Sequence, residues 1–416
     1  MSKQNIFNLT IANLLSSLGT GLTVFLIPWL LISSNNGEQI FTYITLGTTL
    51  LIFILTPSIG SFIDTNSRKK IALLCEFVGI ITISITLIFT IFTGEINFIF
   101  LILILVIQSL YDNTKYTTIS AWTQNIFHKS EYKKVNSILE VQGQAALMLS
   151  AGLTALFIGK INIEYILFFN IITYLLAMFF YAKLPKENQL NNTIPAITEK
   201  NPIKSIYKDF IYSVHFIKSN KSLIVFLFIT TIPGIIVILG NYLNPIFIYS
   251  FLNEAPSIQG ASSVIFAIGA MFGGIFPLYL LKKNDSYTAL KITNLMFLFS
   301  FVLIAFLPFT GIFLASRLLA GLGNSATRVL RKEVLFNTIP NHLIGRINTT
   351  LNSLGLITRL IFISSFGFII ASENIIYSYY LICIILVIST LTILFFKEEK
   401  ISSSDLELQA KIKISH

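Results

Sequence analysis

Apolar residues fall in about twelve long stretches along this chain, separated by polar gaps. Each stretch is close to the ~20 residues a helix needs to cross a hydrocarbon core of ~30 Å. The pattern predicts spanning helices over residues 6–32, 40–63, 71–92, 96–127, 136–158 and 163–184 in the first half. In the second half it predicts 222–251, 258–281, 287–307, 312–339, 342–370 and 375–396. Two of these, 96–127 and 312–339, turn polar in their second halves, as expected of helices that project past the bilayer or line water. The stretch 6–32 is too long for the apolar region of a cleaved signal, and no small-residue cleavage site follows it. It reads as the first span.

Positive charge alternates between the gaps. Residues 64–70, 128–135, 185–221 and 282–286 are rich in Lys, whereas 33–39, 94–95, 252–257 and 371–374 contain no Lys or Arg. Lys160 is the exception. Basic loops are retained on the cytoplasmic side, so both termini are expected in the cytoplasm.

Composition narrows the class further. Charged residues make up 12% of the chain and hydrophobic residues 54%, with 37 Phe. Soluble domains carry about 25% charged residues, and no region here reads as a soluble core. A net charge of +10 would suit nucleic acid, but its placement in alternate gaps points to an anionic leaflet and to topology instead. Cys75 and Cys383 lie inside apolar stretches and offer neither a disulfide framework nor metal spacing. His128, His215, His342 and His416 are scattered near loops or in the tail. No Walker A loop, zinc spacing or nucleophile elbow occurs, so no ATP-driven step, cofactor, metal or enzymatic activity is expected.

The long central gap divides the chain into residues 1–184, a linker 185–221, residues 222–396 and a tail 397–416. In the linker, Ile206, Phe210, Ile211, Val214 and Ile217 take helical spacing with Lys204, Lys208 and Lys218 around them, which predicts an interfacial amphipathic helix. An internal repeat relates the halves. The segment starting at Asn125 aligns without gaps to that starting at Asn337, pairing Lys134 with Arg346, Asn136 with Asn348, Leu139 with Leu351 and Gly143 with Gly355. Two parallel six-helix halves are a transporter architecture.

The most specific motif is GSFIDTNSRKK, residues 60–70, between the second and third spans. Gly60 permits close helix approach, Asp64 suits the positive N-terminus of a neighbouring helix, and Arg68 and Lys69 can hold charges at a cytoplasmic gate. A plain basic loop is the ordinary alternative, and the position among twelve spans with a repeat weighs against it. With Gly, then Asp four later, then Arg and Lys after four more, the motif resembles the signature of the major facilitator superfamily. The matching place in the second half, GIFPLYLLKK from Gly274, keeps Lys282 and Lys283 but has Leu278 where the Asp would stand, so a weaker second gate is expected. Within that superfamily the chain is most similar to exporters of the macrolide-efflux and siderophore-exporter type, most clearly in KKVNS at 133–137 and GRINT at 345–349. The resemblance implies the twelve-helix major facilitator fold and alternating access around a midplane site. Many proton-coupled drug exporters of the superfamily carry an Arg in the fourth helix; Gln108 stands at that position here, a departure from their relay.

Polar groups within the spans carry the remaining chemistry, because charge in hydrocarbon is costly and marks a wet cavity or an internal pair. Gln108, Asp112, Lys115, Ile119 and Trp122 share one face of the fourth span, with Asp112 ~24 Å from its outer start. Two readings stand: Asp112 and Lys115 neutralise each other, or they line a cavity. The fifth span adds Glu140 and Gln144; the tenth adds Arg317, Gly321, Asn324, Arg328 and Arg331; the eleventh adds Asn348, Asn352, Gly355 and Arg359. Snorkelling to the interface is the ordinary alternative for the arginines. The first span holds no acid or base after Lys3, only Asn8, Thr10, Asn13, Ser16, Ser17, Thr20 and Thr23. In the seventh, Pro233, Gly234, Gly240, Asn241, Asn244 and Pro245 predict bending or unwinding.

Lys115, Arg317, Arg328 and Arg359 outnumber Asp112 and Glu140, so the cavity is expected to be net positive and suited to carboxylates. The expectation is a monomeric secondary transporter of a bacterial-type inner membrane that exports a small, siderophore-like organic anion. Its partners would be the solute, lipid and coupled protons carried by Asp112 or Glu140, with no nucleic acid. The competing readings are a multidrug or macrolide efflux pump, an importer of a nutrient or metal complex, and a non-transporting sensor or assembly partner.

Overall fold

The computed structural model describes residues 2–127, 131–157, 161–185, 220–339, 341–371 and 374–396; these are helices and short turns, with no strand among them. The first six helices are α1 (Ser2–Ile32), α2 (Gly37–Thr65), α3 (Arg68–Thr93), α4 (Phe98–Ile126), α5 (Tyr132–Phe157) and α6 (Ile163–Ala182). A seventh crossing is built from α7 (Lys221–Ile229), α8 (Ile232–Ile246) and a π-helical turn, Phe247–Phe251. The remaining five are α9 (Pro256–Leu280), α10 (Ser286–Phe306), α11 (Thr310–Thr338), α12 (Asn341–Ala371) and α13 (Ile376–Phe395). The twelve expected crossings are therefore present in two sets of six. The amphipathic helix expected in the linker and the tail 397–416 lie outside the described residues.

Ten crossings are long and apolar enough to span a membrane. In α5 only the stretch Val141–Phe157 is apolar. In α11 the residues Arg317, Arg328, Arg331, Lys332 and Glu333 dilute the apolar face. Helices are forced on such segments because hydrocarbon offers no partner to an open backbone. They stop where polar side chains or unusual backbone take over. Asn36 before α2 and Gly94 after α3 both have positive φ, 55° and 75°. Asn97 accepts from the Ile99 amide at 2.8 Å to start α4. Asp285 accepts from the amides of Tyr287 and Thr288 to start α10. Hydrogen bonding from the Thr288 side chain and these amides holds the Asp285 carboxyl below the usual carboxylate range.

The seventh crossing breaks where the sequence predicts. Pro233 has no amide to bond the Ile229 carbonyl, so α7 ends at Ile229 and α8 restarts at Ile232. Thr230 and Thr231 donate their hydroxyls to the carbonyls of Leu227 (2.7 Å) and Phe228 (2.6 Å) at the break. The π turn follows Pro245.

Within the first half α1 packs on α5 and α6, and α3 on α4 and α6; in the second, α11 packs on α9 and α10, and α10 on α13. Small residues allow the tightest crossings. A Cβ at Gly269 or Gly273 of α9 would overlap the backbone of α11 at Leu318 or Leu322. The halves meet along α5 with α9 and α2 with α12. At the end whose gaps, Lys160 apart, lack Lys and Arg, called here the Lys-free end, one apolar cluster runs across both halves, joining Ile27, Leu31 and Phe41 to Tyr242, Phe247 and Ile375. Toward the Lys-rich end most of the buried apolar residues form separate clusters, although Ile63 and Ile71 belong to the shared one. Leu9, Ala72, Trp122 and Leu184 belong to the first half, and Leu227, Leu290, Leu335 and Ile393 to the second. Among the described residues, the halves are sealed together at the Lys-free end and have divided cores at the Lys-rich end.

Candidate functional site

The polar face expected on α4 is the hub of the first half, and its lysine pairs with an acid of another helix. Lys115 Nζ lies 3.4 Å from Glu76 Oε1 of α3, and Glu76 is fully buried. Two hydroxyls sit between the charges. Ser16 donates to Glu76 Oε1 at 2.7 Å and Tyr111 at 2.8 Å. Lys115 in turn donates to both hydroxyl oxygens, of Ser16 and of Tyr111. The ion pair is thus solvated by side-chain hydroxyls, which offsets part of the several kcal/mol that burying each ion costs. The second oxygen, Glu76 Oε2, is buried with no hydrogen-bond partner. The Lys115 ammonium also lies 5.2 Å from the Tyr111 ring and 5.9 Å from the Tyr181 ring.

Asp112, one turn earlier on α4, is only half-buried. Gln108 Nε2 donates to its Oδ1 at 3.4 Å, and Tyr174 of α6 donates to Gln108 Oε1 at 3.0 Å. Tyr174 also contacts Thr20 of α1 at 3.2 Å, and Tyr181 donates to Asn13 at 2.5 Å. One polar network therefore ties α1, α3, α4 and α6 together. Glu76 was absent from the candidates, although an acid inside the apolar stretch 71–92 is a legible signal. What spacing alone did not give is the register that turns Glu76 toward Ser16 and Lys115.

The α5 candidates are not all described. The Glu140 side chain lies outside the described residues, and Gln144 is half-buried with Oε1 lacking a partner. In the second half Arg317 is buried, 4.7 Å from the Phe266 ring centroid, with no hydrogen-bond partner at Nε among the described residues. Arg359 of α12 is half-buried, and its Nε likewise meets no acceptor among them. Arg328 and Arg331 are half-buried on α11, and Asn324 is buried on the same helix. Asn352 is exposed and Gly355 faces Ile235 of α8; the Asn348 side chain lies outside the described residues. Asn241 is exposed, whereas Asn244 is buried and accepts from Tyr379 at 3.1 Å.

The gate motif straddles the turn from α2 to α3. Lys69 donates to the carbonyls of Ala182 (2.6 Å) and Leu184 (2.5 Å), capping the end of α6 with positive charge. Arg68 is half-buried, and the Asp64 side chain lies outside the described residues. No described atom lies within 4 Å of a Cβ built at Gly60. KKVNS and GRINT fall at the starts of α5 and α12, mostly on residues whose side chains lie outside the described set. Among the described residues no three His, Cys, Asp or Glu side chains gather as metal ligands. At the Lys-free end a cleft of about 410 Å³ opens above the seam, lined by Asn36, Glu38, Tyr249, Phe251, Ile370 and others.

Residues 9–310 match the family model of the Major Facilitator Superfamily. An uncharacterized MFS-type transporter, YkuC of Bacillus subtilis (strain 168), is 24% identical over 228 residues, 53% of this chain and 51% of that protein. That alignment spans about half of the relative's length. Among solved structures, a D-xylose-proton symporter superposes with a TM-score of 0.74 at 11% identity, covering 95% of this chain and 98% of that one. A bacterial homologue of the iron transporter ferroportin, in an inward-facing state, gives 0.67 at 14% identity over 96% and 100%. The human organic anion transporter MFSD10 gives 0.62 at 14% identity over 94% and 99%. At such identities the likeness is one of fold.

Proposed function

The chain belongs to the major facilitator superfamily of transporters, and from that premise we propose that it exports a small organic anion, of the carboxylate-siderophore kind, in exchange for protons. The observation that carries the substrate class is the contrast between the halves. The cation of the first half, Lys115, is matched by Glu76. In the second half Arg317 and Arg359 bring guanidinium groups into the bundle with buried Nε atoms that meet no acceptor. A guanidinium whose Nε lacks an acceptor is costly in a membrane interior, and a bound carboxylate would relieve it with two parallel hydrogen bonds. Arg328 adds a third positive group on α11.

The alternating charge of the gaps supports an orientation with the Lys-rich end in the cytoplasm. In that orientation the divided end of the bundle admits solute from the cytoplasm. Asp112, half-buried and accessible from the polar network, is the group we assign to carry the coupled proton, with Glu140 as the alternative.

The test is efflux from cells, comparing a carboxylate-type siderophore with a cationic dye. Arg359→Lys should weaken siderophore efflux by losing the bidentate fork, and Arg359→Ala should nearly stop it, with expression retained. Dye efflux that exceeds siderophore efflux and survives Arg359→Ala would replace the anion reading with a multidrug pump. Accumulation of the siderophore in place of its loss would make the protein an importer.

A further inference from the structure

Lys115 stands between two carboxylates of different character. Glu76 is fully buried, bonded through Ser16 and Tyr111, and 3.4 Å from the ammonium. Asp112 is on the same helix as Lys115, three residues away, and is half-buried. Glu76 and Lys115 neutralise each other as a pair. Asp112 is then the carboxylate of the triad that keeps partial exposure.

We propose that Glu76 is a positioning residue for the coupling proton: it engages Lys115, offsets the pull of the ammonium on Asp112, and so leaves Asp112 able to take up and release a proton. The proposal rests on the proton-coupled reading above. The step is simple in its balance. A proton from water adds to an Asp112 carboxylate oxygen, neutralising it, and returns to water when the carboxyl ionises; no other bond is made or broken.

The other groups facing this triad do not supply the same control. From α3, Cys75 is buried beside Glu76. From α4 comes Tyr111, and from α6 come Tyr174 and Tyr181, all buried phenols already hydrogen-bonded. From α1 come Asn13, Ser16 and Thr20, which do not titrate. On α2, Glu38 and Tyr43 lie at the Lys-free end and Asp64 at the Lys-rich end. On α5 the acid in the sequence is Glu140, whose side chain lies outside the described residues. Among the described residues Lys115 is the cation that pairs with Glu76 and lies one turn from Asp112 on α4, so the balance between the two carboxylates bears on the charge at Asp112.

The signs follow from Coulomb's law. In Glu76→Gln the ammonium loses its partner and stabilises ionised Asp112, so the pH dependence of transport should move about one unit or more toward acid. In Lys115→Met two carboxylates face each other without a cation, and the profile should move a similar distance toward alkaline pH. In Glu76→Gln/Lys115→Met both changes cancel, and the profile should return to that of the wild type. A purely structural pair would lower transport at every pH without moving the profile in opposite directions.

The experiment is solute exchange in proteoliposomes across a pH series, paired with infrared difference titration of the purified protein. The protonated-carboxyl band is assigned by its loss in Asp112→Asn. Opposite shifts in the single variants and restoration in the double variant are expected in both measurements. Unshifted profiles, or shifts of the same sign, would overturn the proposal. If wild-type exchange proves indifferent to pH, the coupled reading fails, while the infrared bands still decide the triad. Should a single variant not fold, the charge-balanced double variant decides: a band displaced from its wild-type midpoint would sink the idea.

Discussion

Tyr242 of α8 and Thr42 of α2 share a 2.7 Å hydrogen bond across the seam between the two halves. Thr42 already donates its hydroxyl to the Glu38 carbonyl at 2.8 Å, so the phenol is the donor. The Tyr242 ring lies 5.7 Å from Phe41, and Trp29 meets Tyr249 edge-on at 5.6 Å a little further out. These contacts join the halves at the Lys-free end. In a two-state transporter such bonds exist in one state only, so each biases the equilibrium by its own worth.

Tyr242→Phe removes that bond and keeps the ring packing. A net hydrogen bond contributes about 1 kcal/mol, so the population open at this end should rise about five-fold. Spin labels at Asn36 and Asn253, one on each half, would read it as a larger share of long distances. An unchanged distance distribution would show that the bond does not hold the closed state.

Topology is checked in a background without Cys75 and Cys383, which are both buried. Single cysteines at Asn36 and Asn253 should react with an impermeant reagent from outside. Those at Ser67 and Asn284 should react only after permeabilisation. Labelling of Ser67 in intact cells would invert the orientation.

Much of this arrangement was legible in the chain because its causes are local. Apolar runs of membrane length and Pro233 with its missing donor act within a few residues of themselves. The pairing inside the bundle was not legible, because it depends on how helices turn about their axes. Lys115 has Asp112 on its own helix, and spacing favours that pair. In the folded chain α3 turns Glu76 to the same ammonium, with Ser16 of α1 supplying a hydroxyl. Arg317 shows the same limit: helical spacing put it on a polar stripe, while its contact with Phe266 comes from the tight α9–α11 crossing.

Lys69 is expected to support the first half as well as the gate. Its ammonium meets two carbonyls at the end of α6, and a cation there is worth about 1 kcal/mol, or up to ~2 where partly buried. Lys69→Met should lower the unfolding temperature of the purified protein, whereas Lys69→Arg should recover most of it. Equal stability of all three forms would confine Lys69 to topology.

Asp64→Asn should behave differently. It keeps the size of the side chain and removes the charge suited to a neighbouring helix N-terminus. The protein should insert and melt as the wild type does, while transport falls by about ten-fold, the effect of ~1.4 kcal/mol. Wild-type transport would reduce Asp64 to a loop residue.

The seam between α5 and α9 gives the most direct test of how the halves move. Gly260 of α9 abuts α5 so closely that a Cβ there would overlap Ala155 and the backbone carbonyl of Ala151. Backbone cannot yield as a flexible side chain can, so Gly260→Val has to part the two helices at the Lys-free end. Overpacking costs about 1–3 kcal/mol, and here the cost falls on the closed state alone, because opening this end separates the clashing atoms. The variant should therefore fold, reach the membrane and favour the state open at that end. Ile32 lines the cleft above the seam and is 2% exposed in the present state. A cysteine at Ile32 should react with an impermeant thiol reagent about ten-fold faster in Gly260→Val than in its parent. Gly269→Val is the control, because Gly269 meets Leu318 of α11 within the same half. No rigid-body motion of the halves relieves that clash, so it should lower expression and melting temperature without raising reactivity at position 32. If Gly260→Val instead lost its fold as Gly269→Val does, the α5–α9 contact would be a fixed part of the core rather than a surface that opens during transport.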